Sequence, residues 1–163
     1  MNQKMNDKPN FKRMMLLIDE VFATRNDPNQ IQVTNHDIEK LKLIHPMTLS
    51  EVVNDEGPII WLLVIPTTSE IMNDFLANKI SEKQLLTLTP LHIKYNVLYL
   101  CSVTTLPEFC GKGKTFELCL NTIASIANEN QLEYLLVWPF TKAGEALAIK
   151  IANASGLKLL IKN

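Results

Sequence analysis

The residues with the clearest chemical potential form a short loop of glycines and lysines in the second half of the chain. The loop reads Gly111-Lys112-Gly113-Lys114-Thr115 and lies between an apolar, strand-like run and the start of an amphipathic helix. Backbone N–H groups at the start of a helix have no intrahelical acceptor and carry the positive end of the helix dipole. Glycine lets a ligand approach this backbone closely, and the lysines add positive charge. The loop therefore predicts a local binding site for an anion.

One interpretation of this loop is a nucleotide-binding P-loop. Gly113-Lys114-Thr115 matches the end of the pattern G-x-x-x-x-G-K-[ST]. The first glycine of that pattern would stand at position 108, where the chain has Glu108, whose carboxylate would lie beside the phosphates. The apolar runs WLLVI and YLLVW also lack a terminal Asp to hold Mg²⁺. Both departures disfavour nucleotide hydrolysis.

The elements around the loop indicate an α/β fold. The run YNVLYLCSVTT predicts a strand, residues 106–113 a loop, and Phe116, Cys119 and Ile123 mark a helix that ends near Asn130. The run EYLLVWPF predicts the next strand, and a further helix ends at Gly156 before the last strand, LKLLIK. Each helix is a crossover between two strands. We therefore expect at least one parallel pair.

The first half of the chain predicts helices around a hairpin. Apolar residues at helical spacing from Phe11 to Phe22 indicate one helix, and Thr34 caps a second that stops before Pro46. Two further runs, residues 48–53 and IIWLLVI, predict a β-hairpin across a turn at residues 54–58. Two short helices then follow, which we expect to be capped by Ser69 and Ser81.

Composition limits the classes of function. The 163 residues contain 16 Lys plus Arg and 17 Asp plus Glu, so no overall basic field is available for nucleic acid or an anionic membrane. We expect one domain over residues 1–163. The three cysteines, among which Cys101 and Cys119 fall on apolar faces, form no metal-binding pattern, and their odd number without a signal peptide predicts a cytoplasmic protein.

Residues 95–162 resemble the coenzyme-binding half of the GNAT superfamily of acyl-CoA-dependent N-acyltransferases. The shared features are a strand running into LPEF, a Gly-x-Gly loop, a helix, a second strand, and a final helix ending in Gly156-Leu157, where the family usually has Gly-Phe. The family loop reads Arg/Gln-x-x-Gly-x-Gly/Ala. Here Gly113 matches the middle glycine, whereas Cys110 and Thr115 depart from the first and last positions. A second register pairs Gly111 with Gly113 and places Glu108 at the Arg/Gln position.

The resemblance implies a GNAT-like mixed central sheet flanked by helices and lacking the last strand. Its open edge could then be completed by another subunit, giving a homodimer. The implied cosubstrate is acetyl-CoA or another acyl-CoA, with the pyrophosphate on the loop amides and the pantetheine arm on unpaired backbone groups of the preceding strand. The residues assigned to the coenzyme are Ser102, Val103, Thr104, Thr105, Leu106, Cys110, Gly111, Lys112, Gly113, Lys114 and Thr115.

The implied reaction is transfer of the acyl group to a small-molecule or peptide amine. Glu108 is the candidate general base because it follows the central strand near the expected path of the thioester. Relatives often carry a Tyr on the last helix as the acid for the departing thiolate, and this helix has none. A non-catalytic acyl-CoA-binding or sensing module is therefore the alternative. A third hypothesis is an interaction protein that keeps the scaffold without the ligand.

Overall fold

A computed structural model describes residues 6–25 and 31–163 of the protein. The predicted single domain also includes residues 1–5 and 26–30, which lie outside the described residues. Within the described ranges, no helix has the length and apolar character needed to cross a membrane.

The described residues form six α-helices, three of which have the predicted capping residues. Thr34 and Asp37 form a capping box at α2, Ser81 and Gln84 form one at α4, and Gly156 ends α6 in the left-handed conformation at φ 78°. The cap of α3 was predicted wrongly. Thr68, not Ser69, accepts the hydrogen bond from the backbone N–H of Ile71. The bounds are α1 Pro9–Arg25, α2 Asn35–Ile44, α3 Ser69–Leu76, α4 Glu82–Leu88, α5 Lys114–Ala127 and α6 Lys142–Ser155.

Five strands form one mixed sheet in the order β1-β2-β3-β4-β5. The first three are antiparallel neighbours, and β3, β4 and β5 run parallel to one another. The hairpin and the parallel pairing predicted from the sequence are therefore confirmed. The bounds are β1 Leu49–Asn54, β2 Gly57–Thr67, β3 Val97–Thr105, β4 Tyr134–Val137 and β5 Lys158–Ile161.

Strand β4 is shorter than the run EYLLVWPF predicted. It ends at Val137, and Trp138, Pro139 and Phe140 lie beyond it. Proline has no N–H to donate to a neighbouring strand, so pairing stops before Pro139. The apolar pattern marked the strand correctly but did not mark its end.

The helices cover both faces of the sheet. Helices α5 and α6 pack on one face, as expected for two right-handed crossovers between strands in sequential order. Their buried residues meet Leu98 of β3 and Leu135 of β4. Helices α2, α3 and α4 cover the other face around Tyr99 and Leu136. Cys119 is buried on the first face and Cys101 on the second, as predicted.

Helix α1 closes the end of the sheet where β2 begins and β3 finishes. Its Met14 is fully buried and packs against Ile59, Ile60 and Leu106. Leu106 is the first residue after β3. This contact anchors the start of the glycine-lysine loop to the N-terminal helix.

Truncation of the central strand should test this core. Leu98 of β3 is completely buried against helices α5 and α6, so Leu98→Ala should lower the free energy of unfolding by about 2–5 kcal/mol. Leu43 is 63% exposed on α2, and Leu43→Ala should change it by no more than about 0.5 kcal/mol. Urea denaturation measures both values. Equal losses for the two variants would contradict this core.

Candidate functional site

Strand β3 continues well beyond its parallel neighbour β4. Their pairing ends at Leu100 and Val137, and β3 then runs five residues further, from 101 to 105, which is roughly 16 Å of strand. Strand β2 supports this extension, since Thr105 pairs with Ile60. In the described part of the chain, no strand pairs with residues 102–105 on the β4 side. The sheet therefore opens beside β3.

A bulge marks the point where the two parallel strands part. The register between β2 and β3 shifts between Leu63 and Val64, and Cys101 is the extra residue of β3. A bulge bends the strand and increases its twist. The extension beyond Cys101 is thus turned relative to the paired half of the strand.

The residues assigned to the pantetheine arm lie along this extension. Ser102 is exposed, Val103 and Thr105 are half-buried, and Thr104 is buried. Leu106 differs from the prediction because its backbone groups are already used. Its N–H donates to the Ile59 carbonyl at 3.0 Å, and its carbonyl accepts from the Phe109 N–H at 2.9 Å. The available backbone of the extension therefore stops at Thr105.

The loop after β3 begins with one turn of 3₁₀-helix, Pro107–Phe109. Two glycines with left-handed backbone follow, Gly111 at φ 75° and Gly113 at φ 81°. A Cβ at either position would meet no heavy atom within 4 Å. Glycine is therefore favoured here by backbone conformation, and the space in front of both residues is open.

The loop presents a row of backbone N–H groups that protein atoms do not use. Gly113 is the N-cap of α5, provides no side-chain cap, and accepts at its carbonyl from the Glu117 N–H, the first helical bond. Within the described ranges, the N–H groups of residues 111–116 donate to no protein acceptor. Cys110 is outside this row because its N–H bonds to the Pro107 carbonyl. The helix start thus offers donors and the positive end of its dipole to an anion.

Side chains fix the loop and charge it. The hydroxyl groups of Thr105 and Thr115 are 2.8 Å apart and join the end of β3 to the first turn of α5. Lys112 and Lys114 are exposed, and both ammonium groups lie just under 6 Å from the centre of the Phe109 ring. The exposed Cys110 thiol lies near the carbonyls of Thr105 and Leu106. The predicted loop residues are therefore brought together around one exposed surface.

Glu108 forms a two-point ion pair with Arg13 of α1. The two carboxylate oxygens lie 2.6 and 2.7 Å from the guanidinium nitrogens, and both side chains are close to half exposed. The hydrogen bonds from Arg13 are the main cause that lowers the pKa of Glu108 to about 2, and Lys112 adds a smaller Coulombic contribution. A carboxylate with this pKa is a weak proton acceptor at neutral pH. The geometry thus favours a positioning role over the predicted role of general base.

Arg13 was missed in the sequence because its partner is 95 residues away. An arginine on an amphipathic helix carries no local signal for such a pair. Its effect on the loop is direct, since it compensates the one acidic side chain between β3 and the two lysines. Glu108 therefore does not oppose an anion as strongly as the sequence suggested.

No known family model matches the chain, and no curated protein matches it. The function is accordingly argued from the geometry of the strand extension and the loop.

The ion pair should control the titration of Glu108. We expect a midpoint near 2 in the wild-type protein and a return toward the ordinary value of about 4.5 in Arg13→Gln, measured by carboxyl-detected NMR. Because the folded-state pKa is lowered, the pair stabilises the fold above the unfolded pKa, and this contribution is lost as pH falls from about 4.5 to about 2.

The control is Arg13→Lys, which keeps the charge but cannot form the two-point pair. Its Glu108 midpoint should lie between the other two. Identical midpoints in the wild-type protein and in Arg13→Gln would contradict the ion pair in solution.

Proposed function

We propose that the protein binds acetyl-CoA or another acyl-CoA at the start of α5 and transfers the acyl group to an amine, as a GNAT-like N-acyltransferase. The observation that carries this proposal is the row of N–H groups at residues 111–116, which follows directly on the open edge of β3. One surface thus offers donors for a diphosphate next to an unpaired strand edge for an amide-containing arm.

The two parts of the site suit the two parts of the coenzyme. The pyrophosphate accepts hydrogen bonds from the loop amides, with Lys112 and Lys114 supplying charge. The pantetheine arm has amide groups that pair with extended backbone, and residues 102–105 provide it on the side that β4 leaves open. Leu106 takes no part through its backbone because Ile59 and Phe109 occupy it.

The order of elements supports the same proposal. From β3 onward the chain runs strand, loop, helix, strand, helix, strand, and Gly156 ends the last helix. The final strand, β5, lies at one edge of the five-stranded sheet, in keeping with a GNAT-like sheet lacking its last strand. A second copy of the chain pairing with this edge would give a homodimer in the cytoplasm.

The reaction is direct attack on the thioester. The amine nitrogen forms a bond to the carbonyl carbon, the carbon–sulfur bond breaks, and the proton from the amine leaves through solvent while the coenzyme departs as a thiolate. Glu108 does not serve well as the base because Arg13 holds its pKa near 2. We propose that it fixes the loop against α1. Rate enhancement then comes mainly from positioning of the two reactants.

A specific observation also supports an acyl-CoA sensor. Helix α6 contains no Tyr to protonate the thiolate, and Arg13 engages the one carboxylate of the loop. Neither feature alters the proposed coenzyme-binding surface, but each leaves the site without a group that would assist acyl transfer. Binding without transfer is therefore the second candidate function.

Two substitutions of Gly113 should separate the effect of a negative charge on acetyl-CoA binding from the effect of an added side chain. Asn and Asp have nearly the same size, both tolerate a left-handed backbone, and the space in front of Gly113 is open. Gly113→Asp should weaken acetyl-CoA binding by about tenfold or more relative to Gly113→Asn, because it adds a negative charge beside the diphosphate. Calorimetry with acetyl-CoA, coenzyme A and ATP measures this difference. Equal affinity of the two variants would place the coenzyme elsewhere, and tight binding of ATP alone would favour the P-loop interpretation.

Turnover should decide between the two candidate functions. An N-acyltransferase releases coenzyme A thiol from acetyl-CoA in the presence of a panel of amines, whereas a sensor binds acetyl-CoA without release. We expect release, and we expect Glu108→Gln to retain it within about tenfold because Glu108 is not the base. A loss of about a hundredfold or more in Glu108→Gln, with acetyl-CoA affinity preserved, would restore Glu108 as the base.

A further inference from the structure

A second candidate site lies on the sheet face opposite α5 and α6. A pocket of about 400 Å³ is lined by residues of α3 and α4, by the turn that joins these two helices, and by the residues that directly follow β4 and β5. Trp138 directly follows β4, and Lys162 directly follows β5. Open α/β sheets bind ligands at the carboxyl ends of their parallel strands, and a volume in this range suits a small molecule.

The most informative residue of this pocket is Lys162, which is only 6% exposed. Its ammonium donates to the Phe75 carbonyl at 3.0 Å and to the side-chain oxygen of Asn78. It also lies over the rings of Phe75 and Trp138, 4.8 and 5.6 Å from their centres. All of these partners are uncharged. Across the described residues, no acidic side chain forms a salt bridge with Lys162.

An ammonium group in this position has capacity for an anion. It carries three N–H donors, and the two neutral acceptors use two of them. Lysine is almost never fully buried without a partner of opposite charge, because removal of the charge from water is costly. A carboxylate in the pocket would accept the third N–H and compensate this charge.

An acidic residue, Glu82, stands in the wall of the same pocket. Glu82 is completely buried, and its Oε2 accepts from the Tyr99 hydroxyl at 2.6 Å. Its Oε1 accepts from the Ile31 N–H at 2.8 Å, with the Cys101 thiol at 3.8 Å. These donors hold the Glu82 carboxylate rigidly. Because Glu82 has no exposed surface, it acts on a ligand in the pocket through its negative charge and not through a direct hydrogen bond.

Backbone conformation positions one of the lysine's partners. Asn78 has φ 59° and follows the end of α3, with its N–H bonded to the Phe75 carbonyl. Left-handed backbone is uncommon outside glycine and is tolerated best by Asn and Asp. This turn directs the Asn78 side chain to Lys162. The pocket thus combines an ammonium without an acidic partner and two aromatic rings, with the buried Glu82 carboxylate behind its wall.

We propose that this pocket binds a small amino carboxylate, with the ligand's carboxylate on Lys162 and its amine toward Glu82. The site is separate from the loop before α5, and its occupation needs no acyl-CoA. The proposal therefore stands or falls independently of the acyltransferase.

The test uses unbranched ω-amino acids from glycine to 6-aminohexanoate, with the matching fatty acids and alkylamines. The chain has two tryptophans, Trp138 in the pocket and Trp61 bonded to Glu51 on the hairpin. The indole N–H signals in ¹⁵N NMR therefore supply a reporter and an internal reference. We expect amino acids of fitting length to shift the Trp138 signal and not the Trp61 signal. Their affinity should exceed that of the matching fatty acids, and the alkylamines should not bind.

Three variants test whether the charge of Lys162 binds the ligand. Lys162→Met should weaken binding by about tenfold or more, because it removes a charge-assisted hydrogen bond. Lys158→Met is the matched control, on an exposed lysine of β5, and should bind as the wild-type protein does. Asn78→Asp offers Lys162 a carboxylate from the chain itself at a position that tolerates Asp. It should raise the melting temperature and compete with the ligand.

Three results would overturn the proposal. One is the absence of a Trp138 shift with every amino acid of the series. Another is full affinity in either Lys162→Met or Asn78→Asp, so the test remains decisive when one of the two variants fails to fold. The third is equal binding of fatty acids and amino acids of the same length in the wild-type protein, which would remove the role of Glu82.

Discussion

The unequal length of two parallel neighbours, β3 and β4, is the constraint on which the rest of the structure depends. Strand β4 stops at Val137 because Pro139 cannot donate to a neighbouring strand, whereas β3 continues to Thr105 with β2 as its support. The carboxyl ends of the parallel strands therefore lie at different positions along the sheet. Strands β4 and β5 end first, and the residues after them border the pocket around Lys162. Strand β3 ends further on, where it leads into the glycine-lysine loop.

Strand β4 no longer pairs with β3 beyond Val137, so contacts from helices hold the extension of β3 and the loop after it in place. Met14 of α1 packs against Leu106, and Arg13 from the same helix holds Glu108. On the far side of the loop, the Thr115 hydroxyl meets that of Thr105. These contacts restrain both ends of the loop through side chains and leave the amides of residues 111–116 without protein acceptors. A backbone that is already fixed loses less conformational entropy when it binds an anion.

Much of this architecture follows from local signals in the sequence. The capping box at Thr34, the hairpin turn before β2 and the left-handed Gly156 each depend on residues within a few positions of one another, and all were predicted. The end of β4 was missed because an apolar run continues through Trp138 and Phe140. An apolar side chain that packs just beyond the end of a strand continues the apolar pattern of the strand itself, so the pattern does not mark the last paired residue.

The charged residues that matter most could not be found in this way. Arg13 and Glu108 are 95 positions apart, and the Lys162 ammonium meets the Phe75 carbonyl 87 positions away. Glu82 resembled an ordinary acidic residue in the first turn of a helix, yet it is completely buried under Tyr99. Such pairs exist only once the sheet has formed, because the strands bring together segments that are remote in the chain.

Burial gives the two candidate sites different physical characters. Lys112 and Lys114 lie in solvent, where salt at 0.15 M screens charges beyond about 8 Å, so the loop depends mainly on directed backbone donors. Lys162 lies away from water, where screening is weaker and a wrongly charged or absent partner costs more free energy. The loop therefore suits a common chemical group, the diphosphate, at an exposed surface. The pocket suits discrimination between small molecules, since the buried charge of Lys162 must meet a group of the opposite sign.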